Sequence, residues 1–496
     1  MTPDDIYQLD EGPSLKELGV AQPIQKANKK DAVTPSQPLG IRDTQGTPIY
    51  SQPTGPHQPD PKINCPVFKI AGTSPFDPAD PAFTLVESLG VGGMGAVHAA
   101  TQGFMGRQVA VKRSHDAKGK GPTYRSVIEE GRRFGRLDHP NIPPVHMVGQ
   151  DEHGHAILVM KRIEGTDLQR MLKAPDHPRW SQVEGDRKMW ALEIMVQISW
   201  ALEHAHSRSI LHRDIKTENV MIGDFGQVFL IDWGVAVDLL DKESTITTDK
   251  FIGTPCFAAP EMLKAGEELT IATDVYLLGA MLYEIMTGKV PHSGRSIGEI
   301  LQKVLSGTKP DIPDSVPSAV ASIIDRALEP DPANRFPSVE GFRLAIQRYR
   351  ADHFLLEQLR LAEQQVATLR HWLTEKKTDR ETGYHFMTLA HEALSTLKGV
   401  IRGGVKIQYA KDLMIENIRV QTEYSILVQQ YGVARALVAK LGDELGPDVP
   451  WVGQLAQRIA DATTAGADRS AELRTQSLAI MFEKMNELRR ENTEEE

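Results

Sequence analysis

Apolar residues recur along this chain at strand spacing near residue 90 and at helical spacing from about residue 124. The segment 85–97 predicts a strand, a glycine-rich turn and a second strand, and the segment 109–112 predicts a further strand. The segment 124–137 predicts a helix, although Gly131 and Gly135 lower its intrinsic helix propensity. Its apolar residues at roughly helical spacing are Val127, Phe134 and Leu137.

Beyond about residue 350 the pattern becomes almost wholly helical. One set of apolar residues alternates spacings of four and three, which is typical of a coiled-coil seam just under three heptads long. The seam consists of Leu355, Leu359, Ala362, Val366, Leu369 and Leu373. Further amphipathic helices are predicted over 383–402, 405–441 and 450–490, with breaks near Gly403–Gly404 and Gly446–Pro447.

Residues 1–82 have a different composition, because they hold fourteen of the thirty-one prolines, mixed with Gln, Thr, Ser and Asp. Such a segment buries too little apolar surface to offset the entropy of ordering, which predicts disorder. Its acidic start is no secretory signal, since it lacks an apolar core. Residues 15–20 are a candidate short docking motif, although a stray apolar patch in a tail is more common.

The overall composition is that of an ordinary globular protein, with 40% apolar residues, 25% charged residues and a net charge of −10. A general nucleic-acid or membrane-surface binder would carry a basic excess, so we predict neither partner. Cys65 and Cys256 are the only cysteines, which excludes a disulfide framework and fits a reducing cytoplasm. No stretch of about 20 uncharged apolar residues is present, so no membrane span is predicted.

The segment 212–219 and Asp232 bring together side chains suited to one kind of chemistry. Asp214 can accept the proton of an attacking hydroxyl group, and Lys216 supplies a positive charge. Asn219 and Asp232 supply the hard oxygen ligands that Mg²⁺ prefers. Phosphoryl transfer from a nucleotide needs this set, because the protein has mainly to position the hydroxyl and neutralise charge on the moving phosphoryl group.

The sequences His-Arg-Asp at 212–214 and Asp-Trp-Gly at 232–234 closely resemble the catalytic loop and metal-binding motif of eukaryotic-type (Hanks-type) Ser/Thr protein kinases, in a bacterial-like soluble form. Seven motifs of that family occur in family order between about residues 83 and 350. The resemblance implies an α+β fold of two lobes, with ATP and Mg²⁺ as cofactors. It also implies Asp214 and Lys216 as catalytic residues and Asn219 and Asp232 as metal ligands.

The implied organisation has three parts. Residues 1–82 form the proline-rich disordered segment, and residues 83–350 form the kinase domain. Within that domain a mainly β lobe covers 83–163 and a mainly helical lobe covers 164–350. Residues 351–496 form a helical or coiled-coil region.

Gly90, Gly92 and Gly95 fit the family's glycine-rich loop over the nucleotide phosphates, where a Cβ atom would keep the backbone N–H groups away. The same pattern occurs in dinucleotide-binding folds, but a helix follows the last glycine in those folds, whereas strands are predicted here. Lys112 matches the lysine that clamps the phosphates. Glu130 matches its ion-pair partner.

The resemblance further implies a nucleotide pocket in which Val97, Ala110 and Met221 sandwich the adenine. It also implies Met160 as the gatekeeper residue, and Lys161 stands where the family usually has a hinge glutamate. The residues predicted to bind ATP are Leu89, Gly90, Val91, Gly92, Gly95, Val97, Ala110, Lys112, Met160, Ile163 and Met221.

Downstream, residues 253–261 resemble the segment that closes the activation loop, and Asp274 resembles the helix aspartate that anchors the catalytic loop. Residues 331–336 resemble a box whose arginine pairs with the glutamate of the closing segment. We therefore expect Glu261 and Arg335 to form a buried ion pair.

Lys216 and Thr254 follow the family's Ser/Thr pattern, and Thr254 is expected to contact Asp214 and Lys216. Two departures from the pattern carry expectations. Trp233 replaces a phenylalanine, and small Gly131 and Gly135 on the neighbouring helix are expected to accommodate the larger ring. Thr217 replaces a proline, which is expected to loosen the catalytic loop.

The loop between Asp232 and Glu261 is rich in hydroxyl groups. We expect autophosphorylation at Thr245, Thr247 or Thr248, with Arg213 binding the loop phosphate. The alternative is a solvated loop without regulation.

These observations predict a Ser/Thr protein kinase that transfers the γ-phosphate of ATP to protein hydroxyl groups. The rival from another class is an ATP-binding pseudokinase scaffold that recruits partners through its C-terminal helices. Those helices have two interpretations, a bundle or coiled coil that forms a homodimer, or an accessory domain that packs on its own kinase.

Overall fold

The computed structural model of the chain describes residues 67–68, 70–71, 83–92, 95–117, 121–241, 245, 252–264, 266–445 and 449–464. The chain divides into two compact units, residues 1–346 and residues 347–496. Outside the described residues lie several predictions, namely those for 1–66, Ser244, Thr247, Thr248, Gly446–Pro447 and 465–490.

A seven-stranded sheet begins the first unit. Its strands are β1 Val67–Phe68, β2 Ile70–Ala71, β3 Phe83–Gly92, β4 Gly95–Gln102, β5 Arg107–Ser114, β6 Val145–Asp151 and β7 Ala156–Lys161. They lie in the order β1-β6-β7-β5-β4-β3-β2. On β5, Val109 and Val111 enter a buried cluster with Ile157 and Val159 of β7. Because side chains alternate along a strand, Lys112 then points to the other face of the sheet.

Strands β1 and β2 are an exception to the disorder predicted for residues 1–82. Val67–Phe68 pairs with Gln150–Asp151 of β6, and Ile70–Ala71 pairs with Phe83–Thr84 of β3, both in parallel. The edges of a sheet carry unpaired N–H and C=O groups, which bind an extended segment even when that segment has a composition typical of disorder. The sheet therefore includes residues upstream of 83.

Helix α1, Pro122–Phe134, covers one face of this sheet as predicted. A Cβ atom on Gly131 would lie 2.4 Å from Val148 and 3.2 Å from Leu158, so Gly131 lets the helix approach β6 and β7 closely. The expectation that Gly131 and Gly135 make room for Trp233 is wrong. Trp233 instead stacks on Phe134, with a ring-centroid distance of 6.1 Å.

The rest of the first unit is mainly helical. Its helices are α2 Leu168–Lys173, α3 Arg187–Ser207, α4 Ile271–Thr287, α5 Ile297–Leu305, α6 Ser318–Ala327 and the start of α7, Val339–Thr374. Helix α4 is buried nearly all round, which is typical of a helix at the centre of a domain. Among the helices described, none is long and apolar enough to cross a membrane.

Two small sheets frame the segment 212–219. One sheet contains β8 Gly165–Asp167, β10 Val220–Gly223 and β11 Val228–Leu230, and the other contains β9 Ile210–Leu211 and β12 Val237–Asp238. Because β9 ends just before residue 212 and β10 begins at residue 220, both ends of the segment are fixed.

The second unit is helical. Helix α7 continues through residue 350, where a domain boundary was predicted, and is followed by α8 Arg380–Gly403, α9 Ile407–Leu427, α10 Tyr431–Leu445 and α11 Pro450–Thr464. The predicted break at Gly403–Gly404 is confirmed, since Gly404 has φ +86°. The single helix predicted over 405–441 is wrong. It is two helices, because the chain turns near Gln429, which has φ +62°.

The predicted coiled-coil seam on α7 faces helices of its own unit. Leu359 and Ala362 are buried in a cluster with Leu394 and Leu397 of α8. Leu369 is buried in a second cluster that includes Phe386. The heptad spacing is real, but it serves packing within the unit, so the interpretation of this seam as a coiled coil between chains is wrong.

We expect Gly131→Ala to destabilise the first unit by about 1–3 kcal/mol, because overpacking forces the helix or Val148 to move. The matched control is Gly399→Ala within α8, where no atom lies within 4 Å of the added Cβ. This control should stabilise its helix by up to about 1 kcal/mol. Thermal unfolding of both full-length variants measures the difference, and equal shifts would contradict the close approach.

Candidate active site

A buried carboxylate fixes the backbone of the segment 212–219. Asp274 of α4 is fully buried and accepts hydrogen bonds from the backbone N–H groups of His212 and Arg213, each at 3.0 Å. The ring of His206 also contacts Asp274 at 2.7 Å. Burial raises the pKa of Asp274, but these hydrogen bonds outweigh burial and hold the pKa below its usual value. The anchoring role expected for Asp274 is thus present in the structure.

Asp214, Lys216 and Thr254 form a closed hydrogen-bond network, as the sequence predicted. The Thr254 hydroxyl donates to Oδ1 of Asp214 at 2.7 Å and accepts from Nζ of Lys216 at 2.7 Å. Nζ of Lys216 also lies 3.2 Å from Oδ2 of Asp214. Burial lowers the pKa of Lys216, but the nearby Asp214 outweighs burial, so the net shift is upward. Lys216 therefore remains charged beside the carboxylate.

Asn219 and Asp232 converge on the same region. The amide nitrogen of Asn219 donates to the carbonyl oxygen of Asp214 at 2.7 Å and to Oδ2 of Asp214 at 3.0 Å. This leaves Oδ1 of Asn219 as its ligand atom for a cation. Asp232 has φ +62°, an unfavourable backbone angle for a non-glycine residue, and its side chain is half exposed. Strained backbone of this kind is common at functional sites.

Lys112 lies between Glu130 and Asp232. Its Nζ donates to both carboxylate oxygens of Glu130, at 2.9 and 2.7 Å, and lies 4.0 Å from Oδ1 of Asp232. Burial raises the pKa of Glu130, and Lys112 opposes that rise. Glu129, by contrast, faces outward and contacts Arg133 at 3.8 Å. The lysine–glutamate pairing predicted from the sequence is present.

All but one of the residues predicted to bind nucleotide lie on five strands around this pair. Val97 pairs with Lys112, Ala110 pairs with Met160, and Met221 lies on β10. Gly90, Gly92 and Gly95 lie at the end of the β3–β4 hairpin, whose Leu89 and Val91 side chains are largely exposed. The remaining predicted residue, Ile163, follows β7 directly and is half-buried.

Thr217 does not loosen the loop, which corrects the expectation drawn from its replacement of proline. Its side chain is fully buried and its hydroxyl donates to Oε2 of Glu284 at 2.6 Å. Gln169 also donates to Glu284, at 3.3 Å. The hydroxyl group therefore ties the loop to α4 in place of the rigid proline ring.

Arg213 and Arg133 carry unused hydrogen-bonding capacity. The Nε atom of each guanidinium is buried and lacks a hydrogen-bond partner among the described residues. Burial lowers the pKa of Arg213, and the charge of Arg133 lowers it further, so the two cations are close together. Thr245, a predicted phosphorylation site, is buried.

The segment 253–261 is held by two contacts that reach it from the helical lobe. Arg335 donates to both carboxylate oxygens of Glu261, at 2.6 and 2.8 Å, and both residues are buried, which confirms the predicted ion pair. His292 was not predicted. Its backbone N–H donates to the Cys256 carbonyl at 3.2 Å, and its ring Nε2 is hydrogen-bonded to the Tyr276 hydroxyl at 2.7 Å.

Comparison with known proteins agrees with this geometry. The sequence signature of the protein kinase domain matches residues 83–343, which is more than half of the chain. The chain belongs to the protein kinase family. The two-lobed fold predicted from the sequence is therefore confirmed.

Several curated bacterial proteins are similar to the chain. Serine/threonine-protein kinase PrkC of Bacillus subtilis is 33% identical over 272 residues, which cover 53% of this chain and 40% of that protein. PknH of Mycobacterium bovis is 32% identical over 274 residues, covering 54% of this chain and 44% of that protein. PknD of Chlamydia trachomatis serovar L2b is 30% identical over 295 residues, covering 54% and 31%. The chain thus matches less than half the length of these relatives.

We expect Glu261→Gln to destabilise the kinase domain by about 3–5 kcal/mol, because Arg335 would remain buried without its counter-ion. The control is Asp325→Asn, which removes a carboxylate from the exposed Lys309 cluster and should cost less than about 1 kcal/mol. Thermal unfolding of the full chain measures both variants. If the unfolding temperature falls no further in Glu261→Gln than in Asp325→Asn, the buried pair is not structurally important.

We expect His292 to make the fold sensitive to acid. Burial, assisted by Lys303, lowers the pKa of His292 to about 4. Because the folded-state pKa lies below the unfolded value of about 6.5, its contribution is complete above about pH 6.5 and is lost as the pH falls towards about 4. The variant His292→Gln keeps a hydrogen-bonding group for Tyr276, as donor or acceptor, but does not titrate. Between pH 7 and pH 4.5 the unfolding temperature of the wild type should fall further than that of the variant, and parallel falls would exclude His292 as the cause.

Proposed function

We propose that this chain is a Ser/Thr protein kinase that transfers the γ-phosphate of ATP to hydroxyl groups of proteins. The observation that supports this best is the network of Asp214, Lys216 and Thr254, which orients a carboxylate and a cation towards one point beside the metal-ligand candidates. The relatives are named as serine/threonine-protein kinases, which agrees with a serine or threonine hydroxyl group as the phosphate acceptor. The two cysteines fit a cytoplasmic location.

In this proposal Asp214 orients the substrate hydroxyl and accepts its proton as the oxygen attacks the γ-phosphorus. The bond from that phosphorus to the β–γ bridging oxygen breaks, and ADP leaves with the electron pair. Lys216 stabilises negative charge on the transferring group, and Thr254 keeps Lys216 and Asp214 in register. Lys112 holds the α- and β-phosphates while Glu130 fixes its ammonium group.

The donor set of Asn219 and Asp232 fits Mg²⁺. Asp214 occupies the amide nitrogen of Asn219, which directs the carbonyl oxygen to a cation, and Asp232 adds a carboxylate. No group of three or more His, Cys, Asp and Glu residues suited to a metal occurs in the described part of the chain. Mg²⁺ accepts one or two protein ligands when phosphates and waters complete its octahedron. When bound, it neutralises charge on the phosphate oxygens.

Regulation by the activation loop is part of the proposal. Arg213 and Arg133 present buried Nε donors without partners among the described residues, and Arg213 contacts the carbonyl of Val235 near the start of the loop at 3.3 Å. A phosphothreonine adds about −1.5 to −2 charge and three acceptor oxygens, which would satisfy both guanidinium groups. Thr245 is buried in this conformation, so Thr247 and Thr248 are the better acceptors.

The rival proposal is a pseudokinase scaffold that binds ATP without turnover. Labelled ATP with Mg²⁺ should phosphorylate the wild type, and Asp214→Asn should reduce the initial rate by at least about 100-fold, because the general base and orienting group is lost. Phosphopeptide mapping should find label on Thr247 or Thr248. The control Asp325→Asn should retain the wild-type rate. ATP binding without labelling of the wild type would favour the scaffold.

A further inference from the structure

One contact of the glycine-rich loop is made by a side chain that none of the kinase motifs includes. Nε2 of His115 lies 2.8 Å from the carbonyl oxygen of Gly92. A carbonyl oxygen only accepts, so the imidazole must donate through an Nε2–H group. His115 follows the last residue of β5 and lies three residues beyond Lys112.

The loop is packed unevenly, because Gly95 on its β4 side lies against the backbone of Arg113 whereas its β3 side has little around it. The pairing of β3 with β4 has register shifts between Leu85 and Glu87 and between Ser88 and Gly90. A Cβ atom on Gly90 would meet nothing within 4 Å, and one on Gly92 would meet only a backbone oxygen at 3.9 Å. Because Gly90 and Gly92 have so little packing around them, a single side-chain hydrogen bond to Gly92 has a large effect on the position of this side of the loop.

The donor, in contrast, sits on a rigid platform. The hydroxyl of Ser114 donates to the carbonyl of Asp116 at 2.7 Å and accepts from the backbone of Ala156 at 2.9 Å. The carboxylate of Asp116 accepts from the backbone and hydroxyl of Thr123, at 2.8 and 2.7 Å. The backbone on both sides of His115 is therefore fixed to β7 and to the start of α1.

This platform also links the loop to the phosphate-binding lysine. Strand β5 carries Lys112 and helix α1 carries Glu130, and His115 lies in the connection between them. A hydrogen bond from His115 to the loop thus fixes the position of the loop relative to the Lys112–Glu130 pair.

We propose that His115 is a positioning residue that holds the glycine-rich loop over the nucleotide phosphates by donating a hydrogen bond to Gly92. The inference rests on the proposed function, because it requires a nucleotide in this site. Its effect should appear for nucleotides with phosphates, which the loop covers, and not for adenosine, which lacks them.

The first test compares binding of ADP with Mg²⁺ and of adenosine to the full chain by calorimetry. His115→Ala should bind ADP about 2- to 10-fold more weakly, the range expected for one hydrogen bond, with adenosine affinity unchanged. His153→Ala removes an exposed histidine in the turn between β6 and β7 and should change neither affinity. Equal loss of ADP and adenosine affinity would indicate a general structural defect and overturn the proposal.

The second test uses the geometry of the donor. The side-chain nitrogen of glutamine lies about as far from Cβ as Nε2 of histidine, whereas that of asparagine matches Nδ1. His115→Gln should therefore keep ADP affinity and His115→Asn should lose it. Hydrogen exchange at residues 88–92, measured without nucleotide, should be faster in His115→Asn than in the wild type, and unchanged in His115→Gln.

The outcomes separate the two proposals. Suppose that the wild type binds ADP and transfers phosphate, and that His115→Ala and His115→Asn bind ADP as tightly as the wild type. This result would overturn only the proposed role of His115. A wild type that binds ADP without transferring phosphate would overturn the kinase activity but leave the loop contact open to the same affinity comparison. A wild type that binds no nucleotide would overturn both.

Discussion

The fully buried carboxylate of Asp274 is the constraint on which the rest of the site depends. An ionised carboxylate inside a protein is very costly unless its oxygens are hydrogen-bonded. Here three donors satisfy it, two of which are backbone N–H groups of the catalytic loop. The carboxylate thereby holds Arg213 at φ +71°, and that backbone angle directs Asp214 towards Thr254 and Lys216. The same hydrogen bonds that offset the cost of burying Asp274 therefore also fix the geometry of the candidate site.

A second chain of contacts joins the catalytic loop to helix α1. The indole of Trp233 lies 4.5 Å from the ring of His212 and 6.1 Å from that of Phe134, and its Nε1 donates to the Leu230 carbonyl. Gly234 follows, and a Cβ there would lie 3.1 Å from Nζ of Lys112 and 3.4 Å from Glu130. A side chain at this position would therefore crowd the ion pair, and Lys112 or Glu130 would have to shift. Any movement of α1 therefore disturbs the apolar stack and the charged pair together.

The arrangement of the candidate catalytic residues was predictable because each family motif is short and local. Asp214, Lys216 and Asn219 lie within six residues, so their mutual geometry follows from one loop. The contacts that the sequence did not reveal join residues far apart in the chain. Thr217 meets Glu284 and His206 meets Asp274 only after α3 and α4 have packed together. The contact from His115 to Gly92 depends on a strand register that no single motif specifies.

The same limit explains the seam on α7. Heptad spacing shows that a helix has an apolar stripe, but it does not say which helix covers the stripe. Here Leu359 and Ala362 are buried against α8, and Leu369 packs near Phe386. Burying one leucine side chain stabilises a fold by about 1.5–3 kcal/mol. If the stripe were exposed to bind a second chain, the unit would lose about this much stability for each leucine side chain exposed. A second chain that bound this stripe would first have to displace the helices that cover it, so the stripe is not a free surface for a partner.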